Sequence, residues 1–229
     1  RFGYNRQGGE RGDEGFESTN WFMGMAHHDL GPGRVTFMLM NSLEPATLDN
    51  PGSPQLFQTG ETFEGEELVD YQHPHDFFMN ISATYRATFS PRAGAWVQYA
   101  PVGEPALGPV AFMHRASSGD NPSAPLGHHW QDATHITFNV VTAGAGWDRV
   151  SLDASAFHGR EPDEDRWKIE GGEIDSYSGR LAVALTKRWS MMASYGDLHE
   201  PEANVPGDVK RTTASLEYGA AGDGSRAFM

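Results

Sequence analysis

The sequence predicts an all-β protein, an antiparallel up-and-down transmembrane β-barrel of which nine or ten strands are visible. Three observations predict this fold. Apolar and polar residues alternate in several stretches close to the ~9–11 residues that a tilted strand needs to cross a bilayer. Tight turns and long polar loops also alternate along the chain. Finally, aromatic residues flank the tight turns, as they do in the two interfacial girdles of membrane barrels.

The turns and loops set the polarity of the predicted barrel. Successive turns of an up-and-down sheet lie at opposite ends, so all the tight turns are expected at one end, as short periplasmic turns, and all the long loops at the other. The tight turns are 31–33, 91–94, 148–149 and 187–188. We therefore expect one β-barrel domain over residues 1–229, with 46–76 and 103–134 as long loops at its extracellular mouth.

Each strand is predicted from an alternating stretch between a turn and a loop. In chain order the predicted strands are 20–29, 34–43, 77–90, 95–102, 135–146, 150–158, 175–186, 189–197 and 210–218. Residues 1–4 are predicted to be the tail of another strand, followed by a polar loop over 5–18. The clearest alternation is in 77–90, where Met79, Ile81 and Ala83 alternate with Asn80 and Ser82.

Alternation alone does not separate a membrane barrel from a soluble sandwich, in which the apolar face would be a packed core. The small residues on the apolar faces, such as Ala83, Ala87, Ala154 and Ala156, suit contact with lipid and are thin for a close-packed core. The lengths of the strands also exceed the ~5–6 residues common in globular proteins. These features favour the barrel.

Composition narrows the classes of protein further. The formal net charge of -14 disfavours a nucleic-acid partner, because phosphates would be repelled. No stretch approaches the ~20 apolar residues of a spanning helix. The chain has no cysteine, which excludes disulfides and thiolate metal sites. We expect the sequence to be truncated at both ends, with a signal peptide upstream.

Histidines and a carboxylate in the long loops are candidate metal ligands. They are His73, His75, Asp76, His114, His128, His129 and His135. Imidazole and carboxylate groups suit Zn²⁺, Cu²⁺ or Ni²⁺, although this spacing is not a well-determined zinc pattern. The alternative is that these side chains satisfy backbone groups in loops that fold over the barrel mouth or into it.

Methionines in the first hairpin suggest a second, softer metal site. If its turn is Gly31-Pro32, Met25 lies opposite Met38 and Met23 lies opposite Met40, all on the polar face. Thioethers suit Cu⁺. A turn longer by one residue would shift the register and separate them. The alternative is that these residues fill gaps as flexible apolar side chains.

Charged residues on the predicted inward faces would line the lumen. They are Arg86, Asp153 and Arg180, and they would set the field felt by a permeating solute. No nucleophile elbow, phosphate-binding loop or dinucleotide fingerprint occurs, so no catalytic residues and no enzymatic activity are predicted.

Several loop motifs resemble an uncharacterised family of Gram-negative outer-membrane proteins. They are Gln58-Thr59-Gly60-Glu61-Thr62, the stretch from Tyr71 to Asp76, Gly103-Glu104-Pro105-Ala106-Leu107-Gly108-Pro109, Phe112-Met113-His114-Arg115, Gly127-His128-His129-Trp130-Gln131-Asp132, Phe157-His158-Gly159-Arg160-Glu161-Pro162-Asp163 and Arg211-Thr212-Thr213-Ala214-Ser215. The resemblance implies a signal-bearing, porin-like barrel, with genes often found near copper-handling functions. It implies no particular site residues.

The sequence therefore predicts a protein of the bacterial outer membrane, in contact with lipid and lipopolysaccharide. The leading hypothesis is porin-like passage of small solutes or metal ions, with histidine-rich loops at the mouth. One alternative is an outer-membrane protein that binds copper or another divalent metal ion. A second is a barrel enzyme acting on lipid or lipopolysaccharide, which requires a serine or carboxylate paired with a loop histidine.

Overall fold

The computed structural model describes residues 2–18, 20–59, 61–115, 123–125, 128–132, 134–203, 205–219, 221–222 and 225–226. In chain order the strands are β1 (Phe2–Arg6), β2 (Glu14–Ser18), β3 (Trp21–Leu30), β4 (Gly33–Ser42), β5 (Ser53–Pro54), β6 (Glu61–Phe63), β7 (Glu66–Leu68), β8 (Tyr71–Gln72), β9 (Phe78–Ser90), β10 (Ala93–Gly103), β11 (Thr137–Trp147), β12 (Val150–His158), β13 (Ser176–Ala184), β14 (Trp189–Leu198), β15 (Val209–Tyr218), β16 (Ala221–Gly222) and β17 (Ser225–Arg226). The helices are α1 (Glu44–Thr47), α2 (His128–Gln131) and one 3₁₀ turn, Phe112–His114.

Nine long strands form one antiparallel sheet in the order β15-β14-β13-β12-β11-β10-β9-β4-β3. The all-β prediction is confirmed, and each of the nine predicted long strands begins and ends within two residues of the observed one. Within the described part of the chain, β3 and β15 are the two edges of this sheet. None of the described helices has the length and apolar character needed to span a bilayer.

The N-terminal prediction was wrong in part. Residues 2–6 do form a strand, but β1 pairs with β2 in a separate two-stranded hairpin, from Phe2 opposite Ser18 to Arg6 opposite Glu14. Residues 14–18, expected in a polar loop, are therefore the second strand of that hairpin. Their short alternating pattern, in which Phe16 lies between glutamates and glycine, was too brief to stand out from the surrounding polar sequence.

The two faces of the large sheet differ in polarity and in exposure. On β12 the side chain of Leu152 is 60% exposed, whereas that of Asp153, which points to the other face, is 7% exposed. Ser155 on β12 and Ser194 on β14 point to the same face as Asp153, and both are buried. The apolar face is thus the exposed one. We call the polar face, which loops of the same chain cover, the inner face.

Residues 104–111, which we call the crossing segment, lie across the inner face. The backbone N–H of Ala106 donates to Ser155 Oγ at 2.8 Å, and the N–H of Gly108 donates to Ser194 Oγ at 2.8 Å. Leu107 packs between them in a buried cluster that also contains Ala100, Val140, Phe157 and Leu198. Two strand hydroxyls therefore satisfy backbone donors of an irregular segment, which accounts for the serines at these two buried positions.

Candidate metal centre

Three histidines converge where the long loops meet the inner face. His75, His128 and His135 each place a ring nitrogen within 4.8 Å of a ring nitrogen of the other two. Their Nδ1 atoms all have hydrogen-bond partners, whereas their Nε2 atoms are buried and have none among the described residues. Because a buried polar atom without a partner is costly, three of them in one place indicate a site built for a ligand.

Two of the three histidines come from one short segment of chain. His128 lies in the single turn of α2, and Asp132 caps this turn by donating its backbone N–H to the His128 carbonyl at 2.7 Å. The Asp132 carboxylate accepts a hydrogen bond from His128 Nδ1 at 3.2 Å, and its backbone carbonyl accepts one from His135 Nδ1. Arg115 Nη2 donates to the other carboxylate oxygen at 2.6 Å. Asp132 therefore orients both imidazoles.

The third histidine is oriented by a carboxylate far away in the sequence. His75 lies three residues before the start of β9, and Glu44 begins α1. Glu44 Oε2 accepts hydrogen bonds from both the backbone N–H and the Nδ1 of His75, each at 2.8 Å, and Glu44 Oε1 accepts the indole N–H of Trp21 at 2.7 Å. The side chains of His75 and Glu44 are 3% and 4% exposed. This buried carboxylate thus has three donors, which is how a buried charge is stabilised.

The electrostatics keep the imidazoles of His128 and His135 in the form that binds metal. Burial lowers the pKa of His128 and His135 well below its ordinary value, and the neighbouring imidazoles lower it further. Both rings are therefore neutral near pH 7, each with a lone pair on Nε2. Phe112 packs edge-on against His128 with ring centroids 4.7 Å apart and forms an apolar contact on one side of that ring.

A small cavity of about 30 Å³ adjoins the three histidines. This volume holds one or two water molecules. His73, Asp76, His129 and Arg166 also line it. Arg166 Nη1 donates to Asp76 Oδ1 at 3.2 Å, and burial nevertheless raises the pKa of Asp76 to about 6.

The structure sorts the predicted metal ligands into three groups. His75, His128 and His135 form the centre. His73, His129 and Asp76 line the cavity beside it but are not part of the group of three. His114 is exposed and does not line that cavity.

The methionine hairpin has the register that the sequence predicts. Met23 lies opposite Met40 and Met25 opposite Met38 in the ladder between β3 and β4. These four residues are distinct from the three histidines, and Trp21, which packs against the cluster of Met40, has its ring centroid 5.8 Å from that of His75.

The predicted lumen-lining residues share one cavity of about 530 Å³, at the tight-turn end of the inner face. Arg180 Nη2 donates to Asp153 Oδ2 at 2.8 Å. The guanidinium of Arg86 lies 4.3 Å from the ring centroid of Trp96. In the register of the strands, all three charged residues lie on the inner face of the sheet.

Sequence reasoning missed the residues that orient the histidines. Asp132 lies four residues after His128 and three before His135, and this local spacing on a helical turn was a usable signal. Glu44 carries no such signal because 31 residues separate it from His75. Only the folded loops bring that pair together.

Comparison with known proteins gave no match: no family model, no curated protein and no solved structure matches this chain. Its own residues are therefore the basis for the function proposed below.

Proposed function

We propose that this protein binds a divalent transition-metal ion through the Nε2 atoms of His75, His128 and His135. The observation that carries the proposal is the convergence of three imidazoles whose Nε2 atoms are buried without a described partner and whose Nδ1 atoms are already hydrogen-bonded. Histidines that bind metals usually donate their other ring N–H to a carboxylate or a carbonyl, which fixes both the tautomer and the ring. Glu44 and Asp132 supply these acceptors here.

The donor set favours ions that accept imidazole. Three imidazole nitrogens suit Zn²⁺, Cu²⁺ or Ni²⁺ and leave a coordination position open, for which the adjoining cavity has room for a water molecule. Tetrahedral zinc with bonds of ~2.0–2.1 Å holds its ligand nitrogens about 3.4 Å apart. Binding would therefore draw the ligand nitrogens together by up to about 1.4 Å from their present spacing of up to 4.8 Å.

Metal titration of the full chain tests this proposal. The metal-free protein in detergent is titrated with Zn²⁺, Cu²⁺ and Ni²⁺ by calorimetry, and bound metal is counted after gel filtration. We expect one ion per chain, and a loss of at least 100-fold in affinity in His135→Ala. His199→Ala is the control, because it removes a hydrogen-bonded imidazole, paired with Asp208, that is outside the centre. Equal affinities of wild type and His135→Ala would refute the proposed ligand set.

We further propose that the sheet is part of the wall of an outer-membrane β-barrel. The support is its inverted polarity: Leu152, Leu216 and Phe37 are exposed by 55–62%, whereas Asp153 and Ser155 on the opposite face are buried. In water this arrangement would leave a large apolar surface exposed, whereas hydrocarbon would cover it. The exposed Trp147 and Trp189 beside tight turns suit an interfacial girdle.

Quenching of tryptophan fluorescence by brominated lipids tests the membrane proposal. Reconstituted protein should be quenched, and Trp147→Phe should lose a part of that quenching. Absence of quenching, together with a monodisperse protein in buffer without detergent, would refute it.

Passage of solutes is a second candidate function. The open cavity lined by Arg86, Asp153 and Arg180 favours it at the tight-turn end. At the loop end the crossing segment would have to move aside. Planar-bilayer recordings test for passage. Conductance steps would support it, whereas their absence from correctly inserted protein would refute passage without affecting the proposal of a metal centre.

A further inference from the structure

The methionine hairpin presents four thioethers on one face. Met23 is paired with Met40 and Met25 with Met38, and the two pairs are consecutive on the same side of β3 and β4. Residues directly opposite in an antiparallel pair have Cβ atoms ~4.5–5.5 Å apart. The flexible methionine side chains of both pairs can therefore reach a common point. We call these four residues the thioether ladder.

The ladder lies on the inner face, where the neighbouring strand is polar. Met38 and Met40 are next to Ser82 and Asn80 of β9. The apolar side chains of the hairpin, such as Phe37, belong to the opposite face and are exposed there. The methionines thus occupy positions at which the rest of this sheet carries polar side chains.

Packing accounts for only a part of the ladder. Met40 is 5% exposed and belongs to a buried cluster with Met79 and Val102. Met23 and Met25 are 51% and 56% exposed, so they contribute little to a core. Two exposed thioethers on β3 thus face two thioethers on β4, and four sulfur donors of this kind suit a soft metal ion.

The ladder also ends beside the histidine centre. Trp21, the next inner-face residue of β3, packs against the cluster of Met40 and donates its indole N–H to Glu44. Its ring centroid lies 5.8 Å from that of His75. One side chain therefore separates the last rung of thioethers from a ligand of the proposed metal centre.

We propose that the thioether ladder binds a soft monovalent cation of the Cu⁺ class at a site distinct from the three histidines. Thioether sulfur selects Cu⁺ over the harder divalent ions that imidazole and carboxylate accept. A thioether carries no proton to lose, so the affinity of the ladder should not change with pH. The affinity of the imidazoles falls on acidification, because protons compete for their nitrogens.

Titration with Ag⁺, a soft ion that undergoes no redox change during the experiment, tests the proposal. At pH 5.5 we expect wild-type protein to bind one Ag⁺ with an affinity within a factor of three of that at pH 7.5. The double variant Met23→Leu/Met25→Leu keeps the side-chain volume at two exposed positions, and it should lose at least tenfold in affinity. Met191→Leu is the matched control, since Met191 is 42% exposed on a different strand.

A measurement on the wild-type chain covers the case in which the double variant fails to fold. The methyl resonances of isotopically labelled methionine report sulfur ligation, and those of the ladder should shift with one equivalent of Ag⁺ while that of Met191 does not. Unchanged ladder methyls, or equal Ag⁺ affinity in the double variant, would overturn the proposal. Loss of Ag⁺ binding only in His135→Ala would overturn it as well, because the histidines would then be the site.

Discussion

Replacing Glu44 by glutamine perturbs the proposed metal centre without touching a metal ligand. Both oxygens of the Glu44 carboxylate accept hydrogen bonds, Oε1 from the indole N–H of Trp21 and Oε2 from two N–H groups of His75. A glutamine has only one acceptor oxygen, and its amide NH₂ must face either Trp21 or His75. One donor then opposes another donor, whichever way the amide is turned.

The expected effect follows from this lost acceptor. Removing a partner that orients a metal-bound histidine costs typically 10- to 100-fold in metal affinity, which is about 1.4–2.8 kcal/mol. The assay is a competition titration of Zn²⁺ between the metal-free protein and a chromophoric chelator of known affinity. Thermal unfolding of both metal-free proteins in the same detergent shows whether the variant is folded during the titration.

Asp175→Asn is the matched control. It makes the same chemical change at a second histidine–carboxylate pair, where Asp175 Oδ2 accepts from His158 Nδ1 at 3.0 Å, outside the centre. We expect its zinc affinity to match that of wild type within a factor of two. Equal affinity of Glu44→Gln and wild type, in folded protein, would refute the role assigned to Glu44. Absence of zinc binding in all three proteins would instead refute the metal centre itself.

Three further predictions concern the inner face. Burial raises the pKa of the Glu104 carboxyl from its ordinary value of 4.5 to about 7 in the folded protein. The folded protein therefore has its full stability below pH 4.5, where this carboxyl is protonated in both the folded and the unfolded state, and it loses stability as the pH rises through 7. Glu104→Gln should therefore stabilise the protein at pH 8 by up to about 3 kcal/mol in urea unfolding, with the gain disappearing below pH 4.5, and a gain independent of pH would contradict the assignment. Gly144→Ala would place a Cβ 2.2 Å from the Trp96 ring, so we expect the free energy of unfolding to fall by about 1–3 kcal/mol and the tryptophan fluorescence to change. Gly146→Ala is the control: the nearest atom to its Cβ would be 3.6 Å away, so its melting temperature should equal that of wild type. Leu107→Ala should destabilise the protein by about 2–5 kcal/mol, and an unchanged melting temperature would show that the crossing segment is not packed as described.

Sequence periodicity predicted the strands because it depends on one local rule. Side chains alternate between the two faces of a strand, so a stretch such as 150–158 shows its structure in its own residues. The same rule placed Arg86, Asp153 and Arg180 on one face. The short β1–β2 hairpin escaped because five-residue strands in polar sequence offer too few alternations.

The metal centre was predictable only as a set of candidates. Seven loop residues had suitable chemistry, and the structure selects three of them. The choice of these three histidines depends on how loops that are tens of residues apart in the sequence fold against each other. The hydrogen-bonded pair of His75 and Glu44, 31 residues apart, is an example. The methionine register, in contrast, followed from the length of one tight turn.

The crossing segment makes the two ends of the sheet unequal. Its hydrogen bonds to Ser155 and Ser194 fix it over the inner face on the loop side, whereas the tight-turn side retains the wide cavity around Arg86. Reagents that approach the inner face from opposite ends of the sheet would meet different chemistry, imidazoles at the loop end and guanidinium groups at the tight-turn end. The two ends of the sheet are therefore chemically different, even though its strands are all antiparallel to their neighbours.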